Sequence, residues 1–176
     1  MDVSSLYTNI PQEEGTEIVC KAYDSFNHNY NPPIPTRFLR EILGLILNEN
    51  SFLFNGENYL QTHGTAMGTK MAVSFANIFM AKIETTLIQQ NETKPKEWRR
   101  YIDDIFSLWD SDEKDVDQFI EQANKFHPTI KFTAEISEKE ITFLDTVVFK
   151  GERLKKESIL DIKTHYKPAI HAIHPA

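Results

Sequence analysis

Two adjacent aspartates set between apolar, β-favouring runs constrain this chain more than any other feature. The segment reads Arg99-Arg100-Tyr101-Ile102-Asp103-Asp104-Ile105-Phe106-Ser107-Leu108-Trp109. Such flanks around an acidic pair predict strand, tight turn, strand, with the turn at Asp103-Asp104. Aspartate suits a turn because its side chain bonds nearby backbone and tolerates the left-handed region. Neighbouring carboxylates also repel each other, and a divalent cation relieves that repulsion, since Mg²⁺ takes carboxylate oxygens. An ordinary acidic turn is the competing reading, and the rest of the chain has to decide between them.

With 176 residues, 40% hydrophobic and 26% charged, the chain can bury a real core within one domain. No apolar run is long enough to span a bilayer. The opening Met1-Asp2-Val3-Ser4-Ser5 has neither the basic region nor the apolar core of a signal peptide. Cys20 is the sole cysteine, which leaves no intrachain disulfide and no cysteine-based zinc site. An intracellular protein with no membrane partner is the expectation, nucleus and cytoplasm both remaining open. The net charge of −7 argues against a broad electrostatic grip on nucleic acid. Any such binding would be local, through metal ions, or shared with further segments. Lys94, Lys96, Arg99 and Arg100 form one small basic patch, read first as a solvated loop and second as a phosphate contact. His165, His171 and His174 lack the cysteine or carboxylate companions of a zinc site.

Periodicity predicts the other elements. Asp2 to Tyr7 is strand-like, and Gln12 to Phe26 is a helix opened by Pro11. Asn27 to Pro35 is a loop. Thr36 caps a second helix, apolar nearly all round through Phe38, Leu39, Ile42, Leu43, Leu45, Ile46 and Leu47 and therefore expected to be buried. A hairpin turns at Asn55-Gly56. A long helix runs from Thr69 to Gln89, and another from Glu113 to Phe126 ends before Pro128. Strands follow at Ile130–Ile136, Ile141–Phe149 and Leu160–Tyr166, with a turn near Lys150-Gly151. This order predicts an α+β fold, helices layered on one face of an antiparallel sheet.

Chemistry enters where three segments could meet: Asp2 at the end of a strand, the Asp103-Asp104 turn, and Gly64-Thr65-Ala66-Met67-Gly68-Thr69, whose glycines let backbone approach a ligand. Nucleotidyl transfer uses two divalent cations about 3.5–4 Å apart, and carboxylates from separate strands can bridge such a pair. In this order Asp2-Val3-Ser4-Ser5-Leu6-Tyr7-Thr8-Asn9-Ile10-Pro11, the glycine loop, Tyr101-Ile102-Asp103-Asp104 and Phe143-Leu144-Asp145 resemble the palm motifs of reverse transcriptases. The wording is most similar to the Penelope-like retroelement branch, which lies nearer to telomerase than to retroviral enzymes. Ala76-Asn77-Ile78-Phe79-Met80 adds to the resemblance.

The resemblance implies a polymerase palm over residues 1–176, with the palm motifs within about 1–149 and the start of a palm–thumb connection from 150. It implies catalytic and metal-binding roles for Asp2, Asp103 and Asp104, with the Val3 backbone carbonyl as a further ligand. Asp104 is the lesser of the three, because adjacent strand residues point apart. The cofactor implied is a pair of Mg²⁺ ions, with Mn²⁺ as an alternative. Tyr7 resembles the gate against a 2′-hydroxyl on the incoming dNTP, and Met67 and Gly68 fall at the nucleotide. Gly64, Thr69, Phe143 and Leu144 fall at the template and primer, an RNA or DNA template being expected. Lys131 and Lys139 are both candidates for the proton donor to pyrophosphate. Met67 stands where many members carry Gln, and Thr69-Lys70 where they often carry Ser-Pro. Fingers would precede Asp2 and a thumb would follow residue 176, so a fragment without them, and without an endonuclease domain, is expected. Those segments would supply the missing positive charge. A non-catalytic remnant acting as an interaction module is the alternative, and a metal-dependent nuclease a weaker third.

Overall fold

A computed structural model describes residues 1–26 and 34–166. The elements, in chain order, are β1 (Asp2–Val3), α1 (Leu6–Asn9), α2 (Gln12–Ser25), α3 (Thr36–Asn48), β2 (Ser51–Phe54), β3 (Glu57–Leu60), α4 (Ala72–Gln90), β4 (Glu97–Tyr101) and β5 (Asp104–Leu108). Then come α5 (Glu113–Phe126), β6 (Phe132–Thr133), β7 (Glu140–Phe143), β8 (Thr146–Phe149), α6 (Glu152–Glu157) and β9 (Asp161–Thr164). Helices with antiparallel sheets make this an α+β fold. The chain divides into two compact units, residues 1–133 and 134–176, where the sequence reading places a change of character near 149.

The first unit is built on a four-stranded sheet of order β4-β5-β1-β6. Alternation along its strands sorts the side chains. Val3 lies opposite Phe132, and both are buried with Ile105 in a core completed by Phe75, Phe79, Met80 and Leu87 of α4 and Phe119 of α5. The helix α4 is apolar around most of its circumference because it is the centre of this core. The rings of Trp98 and Trp109 meet Phe119 edge-on at 6.0 and 4.8 Å, covering the sheet's outer end. A buried His127 bonds Glu14 at 3.0 Å and joins the end of α5 to the start of α2.

Several boundaries differ from expectation. The chain leaves β1 after Val3 and turns into α1 through Ser5, whose φ is 48°. The strand predicted at Ile130–Ile136 is only Phe132–Thr133, and that predicted at Leu160–Tyr166 is Asp161–Thr164. Thr36 does not cap α3; Pro35 occupies the cap position and the Thr36 hydroxyl bonds Asp24 instead. The expectation that α3 is buried also fails. Leu43 and Leu47 pack inward, while Phe38, Ile42, Leu45 and Ile46 are between 40% and 64% exposed. The apolar run is continuous, but α3 packs against α2 and leaves these four side chains largely exposed. The β2–β3 hairpin turns at Asn55-Gly56 with φ of 51° and 84°, as that dipeptide predicts. Residues 27–33, within the expected loop, and His171 and His174 lie outside the described residues.

The second unit is a three-stranded sheet of order β7-β8-β9. The single strand expected from Ile141 to Phe149 is a hairpin, because Leu144 takes φ 55° and Phe143 pairs with Thr146. The turn expected near Gly151 opens the short helix α6, whose Arg153 pairs with Asp161 of β9.

Replacing a ring at the centre of the first core tests this packing. Phe79→Ala is expected to lower the unfolding free energy by roughly 3–5 kcal/mol, and Leu45→Ala on the exposed side of α3 by under about 0.5 kcal/mol, both read by urea titration.

Candidate active site

The pairing of the sheet sets out the candidate residues. Tyr101 lies opposite Asp104, Asp104 opposite Asp2, and Asp2 opposite Thr133, so one row crosses all four strands. Directly paired residues of antiparallel strands project to the same face. The neighbouring Val3 and Ile105 are core, so the row Tyr101–Asp104–Asp2–Thr133 occupies the face away from it. The hairpin differs by one residue from the expected one. Its two-residue turn is Ile102-Asp103, and Asp104 is the first residue of β5. Asp104 therefore stands directly across from Asp2, nearer the centre of the site than the resemblance implied. Asp103 is tied down separately, its carbonyl accepting a 3.0 Å bond from the Val3 amide. Met1 and Ile105 exchange both backbone bonds, at 2.8 and 2.9 Å, which fixes the register beside it.

Electrostatics agree with this placement. Burial first, then the Asp103 and Asp104 carboxylates, push the Asp2 carboxyl above the ordinary aspartate value, against a smaller pull from the N-terminal ammonium. Three acids thus share one field, with like charges opposed across paired strands, an arrangement that is destabilising on its own. Among the described residues, no group of three or more His, Cys, Asp or Glu side chains is placed to hold a metal ion. An open set of one or two carboxylates suits Mg²⁺ bound jointly with substrate phosphates, which retains waters and does not use an all-protein cage.

Tyr7 is carried by α1 and is half-buried. Burial, then the Asp103 carboxylate and Tyr101, hold its phenol above the ordinary value, so the structure brings Tyr7 beside the aspartate turn. The glycine loop reaches the same place. The Thr65 amide donates to the Tyr7 carbonyl at 2.7 Å. Gly64, at φ 66°, packs so closely that a Cβ there would lie 2.5 Å from the Thr8 Cα and collide with the Tyr7 carbonyl. Gly68, at φ 95°, has open space around it, and Met67 beside it is 71% exposed. Thr69 closes the loop by donating to the Ala66 carbonyl at 3.1 Å.

Lys131 donates to the carbonyls of Asn124 at 2.6 Å and His127 at 3.0 Å, at the end of α5. Phe143, Leu144 and Lys139 belong to the second unit, where Phe143 ends β7 and Leu144 is the turn residue. The basic patch is mostly neutralised: Lys96 pairs with Asp110 at 2.6 Å and Arg99 with Glu97 at 2.8 Å. Arg100 turns inward to Glu84 at 2.8 Å. Sequence reasoning missed Gln12, whose amide donates to the Gly64 carbonyl at 2.9 Å and the Leu47 carbonyl at 3.2 Å, pinning the loop to the end of α3. It also missed Glu84, an acid on the buried stripe of α4 between Met80 and Leu87. A lone acid at such a position signals a buried cationic partner.

No protein-family model and no curated protein matches the chain. Among solved structures, the apo telomerase of Candida tropicalis truncated from its C-terminal domain is similar to it, with a TM-score of 0.62 and 17% identity over 93% of the chain. This chain spans 34% of that telomerase chain. The likeness shows a fold shared with part of that telomerase chain.

Two expectations follow from the geometry. Gly64→Ala should cost more than about 3 kcal/mol, since it adds a backbone collision to a left-handed φ, whereas Gly68→Ala should cost about 1 kcal/mol for conformation alone; thermal unfolding of both variants compares them. Because the folded Asp2 carboxyl holds its proton more tightly than in the unfolded chain, stability should fall as pH rises above 3.8. Asp2→Asn should flatten that part of the stability–pH profile and be the more stable protein at neutral pH.

Proposed function

We propose that this chain is the palm segment of an RNA-directed DNA polymerase of the Penelope-like branch, adding deoxynucleotides to a primer 3′-hydroxyl. The observation that carries this reading is the pairing of Asp2 with Asp104 on one face of the sheet, with the Asp103 carboxylate of the adjoining turn close enough to act on both Asp2 and Tyr7.

In this reading Asp2 and Asp103 hold the metal pair, Asp104 adds charge from across β1, and the Val3 carbonyl is a further ligand. Two Mg²⁺ ions, or Mn²⁺, supply Lewis-acid activation and charge neutralisation when bound. The primer 3′-hydroxyl gives its proton to water and its oxygen bonds the α-phosphorus; the bond from that phosphorus to the oxygen bridging to the β-phosphate breaks, and pyrophosphate leaves. Tyr7, carried on α1 with its phenol held above the ordinary value by burial, then Asp103 and Tyr101, is the gate that excludes a ribose 2′-hydroxyl in this reading. Gly64 anchors the loop, leaving Met67, Gly68 and Thr69 to pack on the nascent base pair and template. By the resemblance, Phe143 and Leu144 would hold the primer end. Lys131 already spends its ammonium on two carbonyls, which favours Lys139 as the proton donor to pyrophosphate. Template, primer and dNTP are the partners, and flanking fingers and thumb segments supply the positive charge that this acidic chain lacks.

Primer extension on an RNA template by the polypeptide joined to those flanking segments tests the reading. Asp103→Ala should reduce extension at least about 1,000-fold, the several kcal/mol that metal-assisted charge stabilisation contributes. Tyr7→Ala should raise ribonucleotide incorporation by about tenfold or more. Extension unchanged in Asp103→Ala would overturn the assignment, and absence of extension from the unmutated polypeptide would favour a non-catalytic remnant.

A further inference from the structure

The turn that presents Asp103 is strained, and something has to hold it. A two-residue hairpin needs a positive φ at its first central position, which is why Gly, Asn and Asp dominate there. Here the position is Ile102, at φ 57°. A β-branched residue in that region is an outlier, and such residues persist only where their surroundings over-determine them.

The surroundings are a guanidinium. Arg100 lies on the inward row of β4, its side chain 10% exposed like that of its partner Glu84. Its Nη1 donates to the Ile102 carbonyl at 2.9 Å and to Asn77 Oδ1 at 2.6 Å. Its Nη2 donates to the Asn77 carbonyl at 3.2 Å, and its Nε to Glu84 Oε1 at 2.8 Å. The indole of Trp98 donates to the same Glu84 oxygen at 2.9 Å. Asn77 and Glu84 are two turns apart on α4, hence on one face of that helix. The arginine thus connects the most buried helix of the unit to a single carbonyl of the aspartate turn.

That carbonyl is well placed to matter. The peptide group is planar, so fixing the Ile102 oxygen fixes the orientation of the Asp103 nitrogen. The next carbonyl, that of Asp103 itself, is held by the Val3 amide at 3.0 Å. Asp103 is therefore bracketed by bonds on both of its peptide groups, one from α4 through Arg100 and one from the strand that carries Asp2. We propose that Arg100, with Asn77 and Glu84, is the positioning element for the Asp103 carboxylate, setting metal affinity at the site. This rests on the polymerase reading of the site. Arg100 is then not a phosphate contact, although it lies in the basic patch. Lysine cannot replace it, because an ammonium lacks the planar fork that reaches four acceptor atoms at once.

The test is Mn²⁺ titration of the chain followed by electron paramagnetic resonance, at a temperature where every variant is folded by circular dichroism. Arg100→Lys, which keeps the charge for Glu84, and Asn77→Ala, which removes one acceptor, should each weaken Mn²⁺ binding by about tenfold, in the range typical for groups that orient a metal's ligands. Asp103→Asn should abolish that binding. Asn77→Ala keeps the measurement decisive if Arg100→Lys fails to fold. A lowered unfolding midpoint with unchanged Mn²⁺ affinity in the folded variants would overturn the positioning role while leaving the polymerase reading intact. Mn²⁺ binding that survives Asp103→Asn would overturn the polymerase reading and, with it, this proposal.

Discussion

The structure of the first unit depends on two residues of pairing. β1 is only Asp2 and Val3, yet it lies inside the sheet between β5 and β6, bonded on both edges. Because strand side chains alternate, this short strand carries both the chemistry and the packing. Val3 faces the core against Phe132, and Asp2 faces the opposite side against Asp104. A slip of one residue would place a carboxylate in the core and a valine in the site. The paired bonds between Met1 and Ile105, and those from Val3 and Ser4 to Asp103 and Lys131, prevent that slip.

The same alternation separates two electrostatic systems a few ångströms apart. On the outward row, burial and then the Asp103 and Asp104 carboxylates push the Asp2 carboxyl upward, against the pull of the N-terminal ammonium. On the inward row, Arg100 and Glu84 neutralise each other below the sheet, and the guanidinium directs its bonds to Glu84, Asn77 and the Ile102 carbonyl. A buried pair of this kind is weak evidence for stability, since desolvation offsets much of the attraction. Its value lies in geometry. The Arg100 fork spans a helix and a strained turn, and the turn could relax if the fork were removed.

Much of this was legible in the sequence, and the failures share a cause. The Asn55-Gly56 hairpin, the long helix of the core and the helix ending at Phe126 follow from turn chemistry and period. The two other hairpins were displaced or missed because Ile102 and Leu144 have left-handed φ angles that no propensity assigns to them. Read by preference, both look like strand interior, so the first turn was placed one residue late and the second disappeared into a single strand. In each case the apolar residue is followed by an aspartate, at 103 and at 145. The exposed side of α3 was misjudged because composition cannot tell which apolar surface has a partner. Arg100 was read with its basic neighbours, although strand alternation already places it on the opposite face from Arg99. Glu84, the acid within an apolar stripe, was the signal that could have found its partner.

The central claim is that β1 and the turn before β5 present Asp2 and Asp103 as the carboxylates that would hold the proposed metal pair. Anomalous diffraction from crystals soaked with Mn²⁺ and a deoxynucleoside triphosphate tests it directly. The account predicts two peaks about 3.5–4 Å apart, bridged by the Asp2 and Asp103 carboxylates at roughly 2 Å. Manganese bound elsewhere, with neither carboxylate in contact, would contradict it.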